Sequence, residues 1–145
     1  MLRNTRFELH TVAASCLIGL KTVWRGSTRV QVSDPARTVI DMLIDPSLVG
    51  GVRHLIEMLG ALLNDYPNEA ANLGVYATKL GVGSVFKRLG YLLQYDHPSQ
   101  RALIELCQKS LSAGYAKLDP ALPADRLITA WRLWVPVAEL REVQR

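Results

Sequence analysis

The sequence predicts an α+β fold: a small antiparallel sheet, three N-terminal strands plus one C-terminal strand, packed against about five helices. Three observations predict it. Branched and aromatic residues gather in Leu17–Arg25 and Thr28–Val32 on either side of a Gly26-Ser27 turn. From Asp34 to Ser112, apolar residues recur at helical spacing between caps and breakers. The alternation then returns near the end, in "AWRLWVPV" (Ala130–Val137). At 145 residues the chain is read as a single α+β domain, 1–145. That length buries enough surface to be stable without disulfides or metals.

Each element has its own justification. "RFELHTVA", residues 6–13, alternates loosely and reads as the first strand. Leu17–Arg25 and Thr28–Val32 form a hairpin, with Val30 and Val32 on one face of the second strand and Arg29 and Gln31 on the other. Asp34 can cap the first helix while Pro35 takes its first position, where a missing N–H costs nothing. Ala36, Val39, Ile40 and Leu43 make that helix's apolar face, and Arg37 can pair with Asp41 on another face, a pairing worth a few tenths of a kcal/mol if exposed. The helix ends before Pro46, and Gly50-Gly51 is a tight connection to Val52–Asn64, whose stripe is Val52, Leu55, Ile56, Leu59 and Leu63. Asn68–Leu80 starts at an Asn cap and stops at Gly81. Ser84 caps Val85–Tyr95, pointing Val85, Phe86, Leu89, Leu92 and Leu93 inward. Ser99 caps Gln100–Ser112, and "LDPALPADR" (Leu118–Arg126) is a loop. In the closing strand Trp131, Leu133 and Val135 oppose Arg132 and Trp134, and Pro136 suggests an edge position.

Composition is that of a globular chain, 49% apolar and 21% charged. "VAASCLIGL" follows Arg3 and Arg6 and faintly resembles an export signal, yet most of its apolar residues lie after Cys16, where a signal would need them before the cut. No run is long enough to cross a bilayer, so the expected location is cytoplasmic, away from any membrane. Cys16 and Cys107 have no ligand-type spacing and read as small buried hydrophobes. The net charge of +4 comes from the N-terminal end: Arg3, Arg6, Lys21, Arg25 and Arg29 face Glu8 alone, while the rest of the chain cancels. Arg6, Lys21, Arg25 and Arg29 are therefore candidates for nucleic-acid contact, set against a plain solvated sheet face.

Catalytic patterns find little purchase. Asp41 and Asp45 stand i,i+4 near Asp34, a conceivable divalent-cation set, but Asp34 already caps a helix and Asp45 precedes a helix-ending proline. Gly26-Ser27 and Asp34 mimic part of a nucleotidyltransferase signature, with Ala36 where a second carboxylate belongs. His10, His54 and His97 fall on three elements without metal-ligand spacing. Gly50-Gly51 precedes Val52-Arg53 rather than the Lys-Ser/Thr of a phosphate loop. No catalytic residue, metal or cofactor is expected; a metal-dependent enzyme using Asp41 ranks third among the readings. In "KRLGYLLQ", Gly90 costs a helix about 1 kcal/mol against alanine and so suggests close packing. Arg88 beside it can anchor to a carboxylate such as Asp41 or face a phosphate.

Three blocks taken together, "RVQVSDPARTVIDMLIDPSLVGG", "SVFKRLGYLLQ" and "LDPALP…WRLWV", resemble the C-terminal domain of AbiEi-type antitoxins of abortive-infection, type IV toxin–antitoxin systems. The resemblance spans about Trp24 to Val135. The matching positions are Ser33, Asp34, Pro35, Arg37, Thr38, Asp41, Gly50, Gly51, Lys87, Arg88, Leu89, Gly90 and Tyr91. It implies a bacterial antitoxin and transcriptional autoregulator in phage defence. Its partner would be a nucleotidyltransferase toxin, opposed without a tight complex. Family members usually carry an N-terminal winged helix that reads promoter DNA. This chain begins almost directly in the sheet, so that reader is expected to be missing and DNA binding to be weak. Pro136 departs from the family pattern, which commonly has a polar residue after the strand. The second reading, from a different class, is a non-specific DNA-binding accessory module that uses the basic N-terminal sheet.

Overall fold

The computed structural model describes residues 4–136; Arg3 of the basic cluster and Val137 of the closing run lie outside the described residues. Two small sheets flank a helical core. β1 (Leu20–Arg25) and β2 (Thr28–Ser33) form the expected hairpin, antiparallel from Leu20↔Ser33 to Arg25↔Thr28. Its two-residue turn places Gly26 at φ +62°, where a side chain would be strained.

The helices follow in order: α1 (Pro35–Ile44), α2 (Val52–Asp65), a single turn α3 (Pro67–Ala70), α4 (Asn72–Leu80), α5 (Gly83–Asp96) and α6 (Arg101–Lys109). α1 begins as its sequence dictates: Asp34 Oδ1 accepts from the Arg37 amide at 2.8 Å, with Pro35 in the first turn. Its four apolar positions are fully buried, and it packs against α2, α4 and α5. Gly50 and Gly51, both near φ +90°, turn the chain from a 3-10 turn at Pro46–Val49 into α2.

The second sheet has order β3-β5-β4, from β3 (Ala116–Lys117), β4 (Arg126–Ile128) and β5 (Leu133–Val135). β5 runs parallel to β3 and antiparallel to β4.

Several expectations change. There is no single sheet from both chain ends, but a two-stranded N-terminal sheet and a three-stranded C-terminal one. Residues 6–13 form no strand. Phe7 and Leu9 project into solvent, and the hairpin's ladder contains only β1 and β2. The closing strand is central rather than an edge, because Pro136 follows the last paired residue, Val135, and so removes no ladder bond. Ala130 and Trp131 belong to a 3-10 turn preceding it. The helix expected over Asn68–Leu80 breaks at Ala71, and Pro67 rather than an Asn cap opens its first piece. α5 starts at Gly83, two residues too early for Ser84 to cap it. α6 starts after Gln100, with Ser99 offering only its backbone carbonyl to the Arg101 amide, and ends at Lys109.

α5 is the centre of the molecule. All nine residues from Val85 to Leu93 are buried, not only the five at inward spacing. A helix enclosed on all sides must find partners for its polar residues inside the protein. Lys87 and Arg88 are those residues.

Candidate functional site

The family-pattern positions converge on two linked clusters. The first gathers around the start of α1. The Asp34 carboxylate is used twice: Oδ1 caps the helix, and Oδ2 accepts from the Tyr76 hydroxyl of α4 at 2.5 Å. That hydrogen bond is the main reason the Tyr76 phenol is pushed up to about 12, with burial and the negative charge adding to it. Thr38 Oγ1 donates back to the Asp34 carbonyl at 2.9 Å. Arg37 is buried, and it makes the pairing with Asp41 that the spacing allows. Its Nε donates to Asp41 Oδ1 at 2.9 Å, and Nη1 donates to the carbonyls of Cys16 and Ile18 at 2.6 and 2.8 Å. Arg37 therefore staples the segment before the hairpin onto α1. Gly19, at φ +67°, lets that segment pass; a Cβ there would sit 2.8 Å from Arg37 Cβ.

The second cluster is carried by α5. Arg88 is only 4% exposed and pairs with no carboxylate. Its Nη1 donates to the Leu43 and Ile44 carbonyls at 2.8 and 2.9 Å, and its Nε to the Lys117 carbonyl at 2.9 Å. Two of these are orphan acceptors at the C-terminal end of α1, which a helix cannot satisfy within itself. Neither the Asp41 contact nor a phosphate-facing role survives this placement. Burial lowers the Arg88 pKa, and the Asp45 and Asp119 charges oppose that shift. Lys87 Nζ donates to the Gly114 carbonyl at 2.9 Å, and its pKa is lowered by burial first and by Arg132 second. A Cβ on Gly90 would lie 2.8 Å from Trp131 Cε3 and closer still to Cζ3 and Cη2. The glycine exists so that the indole can lie against the helix backbone, while Trp131 Nε1 donates to Gln94 Oε1 at 2.6 Å. The Tyr91 hydroxyl is buried without a hydrogen-bond partner among the described residues, and burial raises its pKa.

One residue of this framework lies outside the family-pattern positions. Asp119, buried in the loop after β3, accepts from the Val52 amide at 3.1 Å and from the Ala121 amide at 2.9 Å. It caps α2 from the far end of the chain, the service that Gly51 cannot provide for itself. The sequence signals were an Asp-Pro pair inside a loop and its place in the third resemblance block, "LDPALP", and neither names a capping role.

The three acids raised as a cation site are engaged separately: Asp34 at its cap and Tyr76, Asp41 with Arg37, Asp45 with the Ser47 amide and hydroxyl. Among the described residues, no group of three or more His, Cys, Asp or Glu side chains is placed to hold a metal ion. His10 pairs with Glu8, and His54 lies 3.7 Å from Glu57. Cys107 is buried, its thiol raised to about 12 by burial, and serves as core. No helix among the described residues is long and apolar enough to cross a membrane.

Two surface features remain. An apolar groove of about 710 Å³ runs between α4 and α6, floored where Gly74 meets Leu103 and Leu106. At the other end, Arg6, Lys21, Arg25 and Arg29 are all exposed, and none of their side chains makes a hydrogen bond or ion pair to another described residue. The register divides three of them: Lys21 and Arg25 share one face of the hairpin with Val23 and Val30, and Arg29 shares the other with Trp24. Comparison of the chain with protein-family models, with curated proteins and with solved structures finds no match.

Proposed function

We propose that this chain is a non-enzymatic antitoxin and autoregulator domain of the AbiEi type, acting in the bacterial cytoplasm against a nucleotidyltransferase toxin without binding it tightly. The observation that carries the reading is the meeting of its three sequence blocks. Arg88 of the second block holds the Leu43 and Ile44 carbonyls of the first. Asp119 of the third caps the helix that the first block's glycines open. Gly90 of the second receives Trp131 of the third. Three short matches scattered by chance have no reason to interlock; parts of one fold signature do. The same contacts favour a role without chemistry, since Arg37, Lys87 and Arg88 each donate to backbone carbonyls, and Arg37 to Asp41 as well.

The test is growth of cells expressing the nucleotidyltransferase encoded beside this reading frame, with and without the chain. Restored growth, with no toxin retained on the purified chain, is the expected result. Undiminished toxicity at full soluble expression overturns the reading. Translating the flanking DNA is a quicker check: a winged-helix stretch upstream and a nucleotidyltransferase gene downstream are expected.

A second reading, an accessory module that binds nucleic acid without sequence preference, is favoured by the four unpaired basic side chains at the N-terminal end. Duplex DNA should then bind weakly, and Arg25→Ala or Arg29→Ala should each reduce the slope of log affinity against log salt by roughly one unit. Tight, operator-specific binding by this chain alone would make DNA reading its primary task.

A further inference from the structure

We infer that the hairpin face bearing Trp24 and Arg29 binds single-stranded nucleic acid, RNA or DNA, with an unpaired base stacked on the indole. The inference rests on the second reading above and goes further, because net charge does not explain the tryptophan. Trp24 is 61% exposed on a ribbon only two strands thick, though a tryptophan is ordinarily a core or interface anchor. Trp131, by contrast, is fully buried.

The register supplies its neighbours. Arg29 stands directly across from Trp24, which puts their Cβ atoms roughly 5 Å apart on the same face. Next along that face, Thr22 lies opposite Gln31, and Gln31 Nε2 donates to Thr22 Oγ1 at 3.0 Å. That bond uses the amide nitrogen and leaves the carbonyl oxygen as an acceptor. An aromatic plate, a guanidinium and an amide in sequence along one face match a base, a phosphate and a base edge. Lys21 and Arg25 on the reverse face, with Arg6 on the preceding segment, supply cations for phosphates on either side. A hollow of about 280 Å³ at the hairpin root is bordered by Lys21 and the exposed Tyr66.

Geometry selects single strands over duplex. In a duplex every base is already stacked on its neighbours, so an indole gains no partner in the groove and the cations act alone. On a single strand the bases are free, and stacking is sequence-tolerant because every base has a π-face. The charge is right for any polyanion; the exposed indole is right only for one with unpaired rings.

The experiment is fluorescence anisotropy with labelled oligo(dT), oligo(rU) and a blunt DNA duplex of equal length, at several salt concentrations. The parent is compared with Trp24→Ala, Trp24→Phe, Arg29→Ala and Lys79→Ala, the last an exposed cation on α4, outside the hairpin. Both single strands should bind more tightly than the duplex. Trp24→Ala should weaken them roughly 5- to 150-fold, Trp24→Phe should recover most of that loss, and Lys79→Ala should change little. Arg29→Ala should lower the salt slope by about 0.7. The dT and rU arms show which strand is preferred. Equal binding of duplex and single strands, insensitive to Trp24, overturns the stacking site and leaves the basic module standing. No binding at low salt overturns both. Sedimentation of the free chain covers the other occupant: self-association abolished by Trp24→Ala, with no oligonucleotide bound, makes this face a contact between copies and refutes the proposal.

Discussion

Replacing Gly90 by alanine sets two physical effects against each other with opposite signs. Helix propensity alone makes Gly90→Ala stabilising by about 1 kcal/mol, since glycine inside a helix carries the larger backbone entropy cost. The structure predicts the reverse. The new methyl would occupy space held by the benzo ring of Trp131, a side chain that is 1% exposed and fastened to Gln94 at 2.6 Å. Helix α5 cannot retreat, because Lys87 and Arg88 fasten it to carbonyls on three other segments. The indole must therefore shift. Losing its packing in full costs about 3–5 kcal/mol, and its hydrogen bond about 1 kcal/mol more. Partial accommodation and the propensity gain leave a net loss of about 2–3 kcal/mol, or about 4–12 °C in melting temperature for a chain of this size. Urea denaturation followed by far-ultraviolet circular dichroism measures it. The cause is isolated by a double-mutant cycle with Trp131→Leu, which removes the obstructing ring. In that background Gly90→Ala should cost much less or become favourable, giving a coupling of about 1.5–3 kcal/mol. A Gly90→Ala chain that melts at or above the parent temperature refutes the close packing. Additive single variants refute Trp131 as its reason.

Other expectations follow from the same framework. Asp34→Ala removes both a helix cap and the acceptor of the Tyr76 hydroxyl, so its cost should be about 2–3 kcal/mol rather than the about 1 kcal/mol of a cap alone; chemical denaturation decides between them. The phenol of Tyr76 should titrate near 12 in the parent and fall toward 10 in Asp34→Ala, read by ultraviolet absorbance. Because folding raises this pKa, its stabilising contribution is fully present below about pH 10 and fades as pH rises from there through 12. Arg88→Met keeps the bulk but leaves the Leu43, Ile44 and Lys117 carbonyls without their donor, and should lose about 3–5 kcal/mol in the same assay. Asp119→Ala should cost about 1–2 kcal/mol and raise amide exchange selectively in the first turn of α2, where Val52 loses its acceptor.

Much of the α1 region could be read from the chain alone. The Asp34 cap, Pro35 at the first position, the Pro46 stop, the Gly26-Ser27 turn and the Gly81 terminus all rest on interactions within a few residues, so local sequence contains both partners. Gly90 was legible for a related reason: a residue that weakens its own helix must be required by something nearby, although only the fold names Trp131. The residues misread had distant partners. Arg88 was offered Asp41, and found instead carbonyls 29 to 45 positions away. Asp119 caps a helix 67 residues before it. Residues 6–13 alternate like a strand, but alternation only prepares a strand; the two-stranded hairpin leaves both outer edges open, and residues 6–13 pair with neither. Ser84 and Ser99 are good caps by type, yet α5 begins at Gly83 and α6 at Arg101, neither with a side-chain cap bond. By itself, then, the sequence determined the local turns, caps and apolar faces, whose energies are settled between near neighbours. The tertiary structure alone decided the partnership of the C-terminal strands and which polar side chains are buried, because those depend on chain segments that meet only after folding.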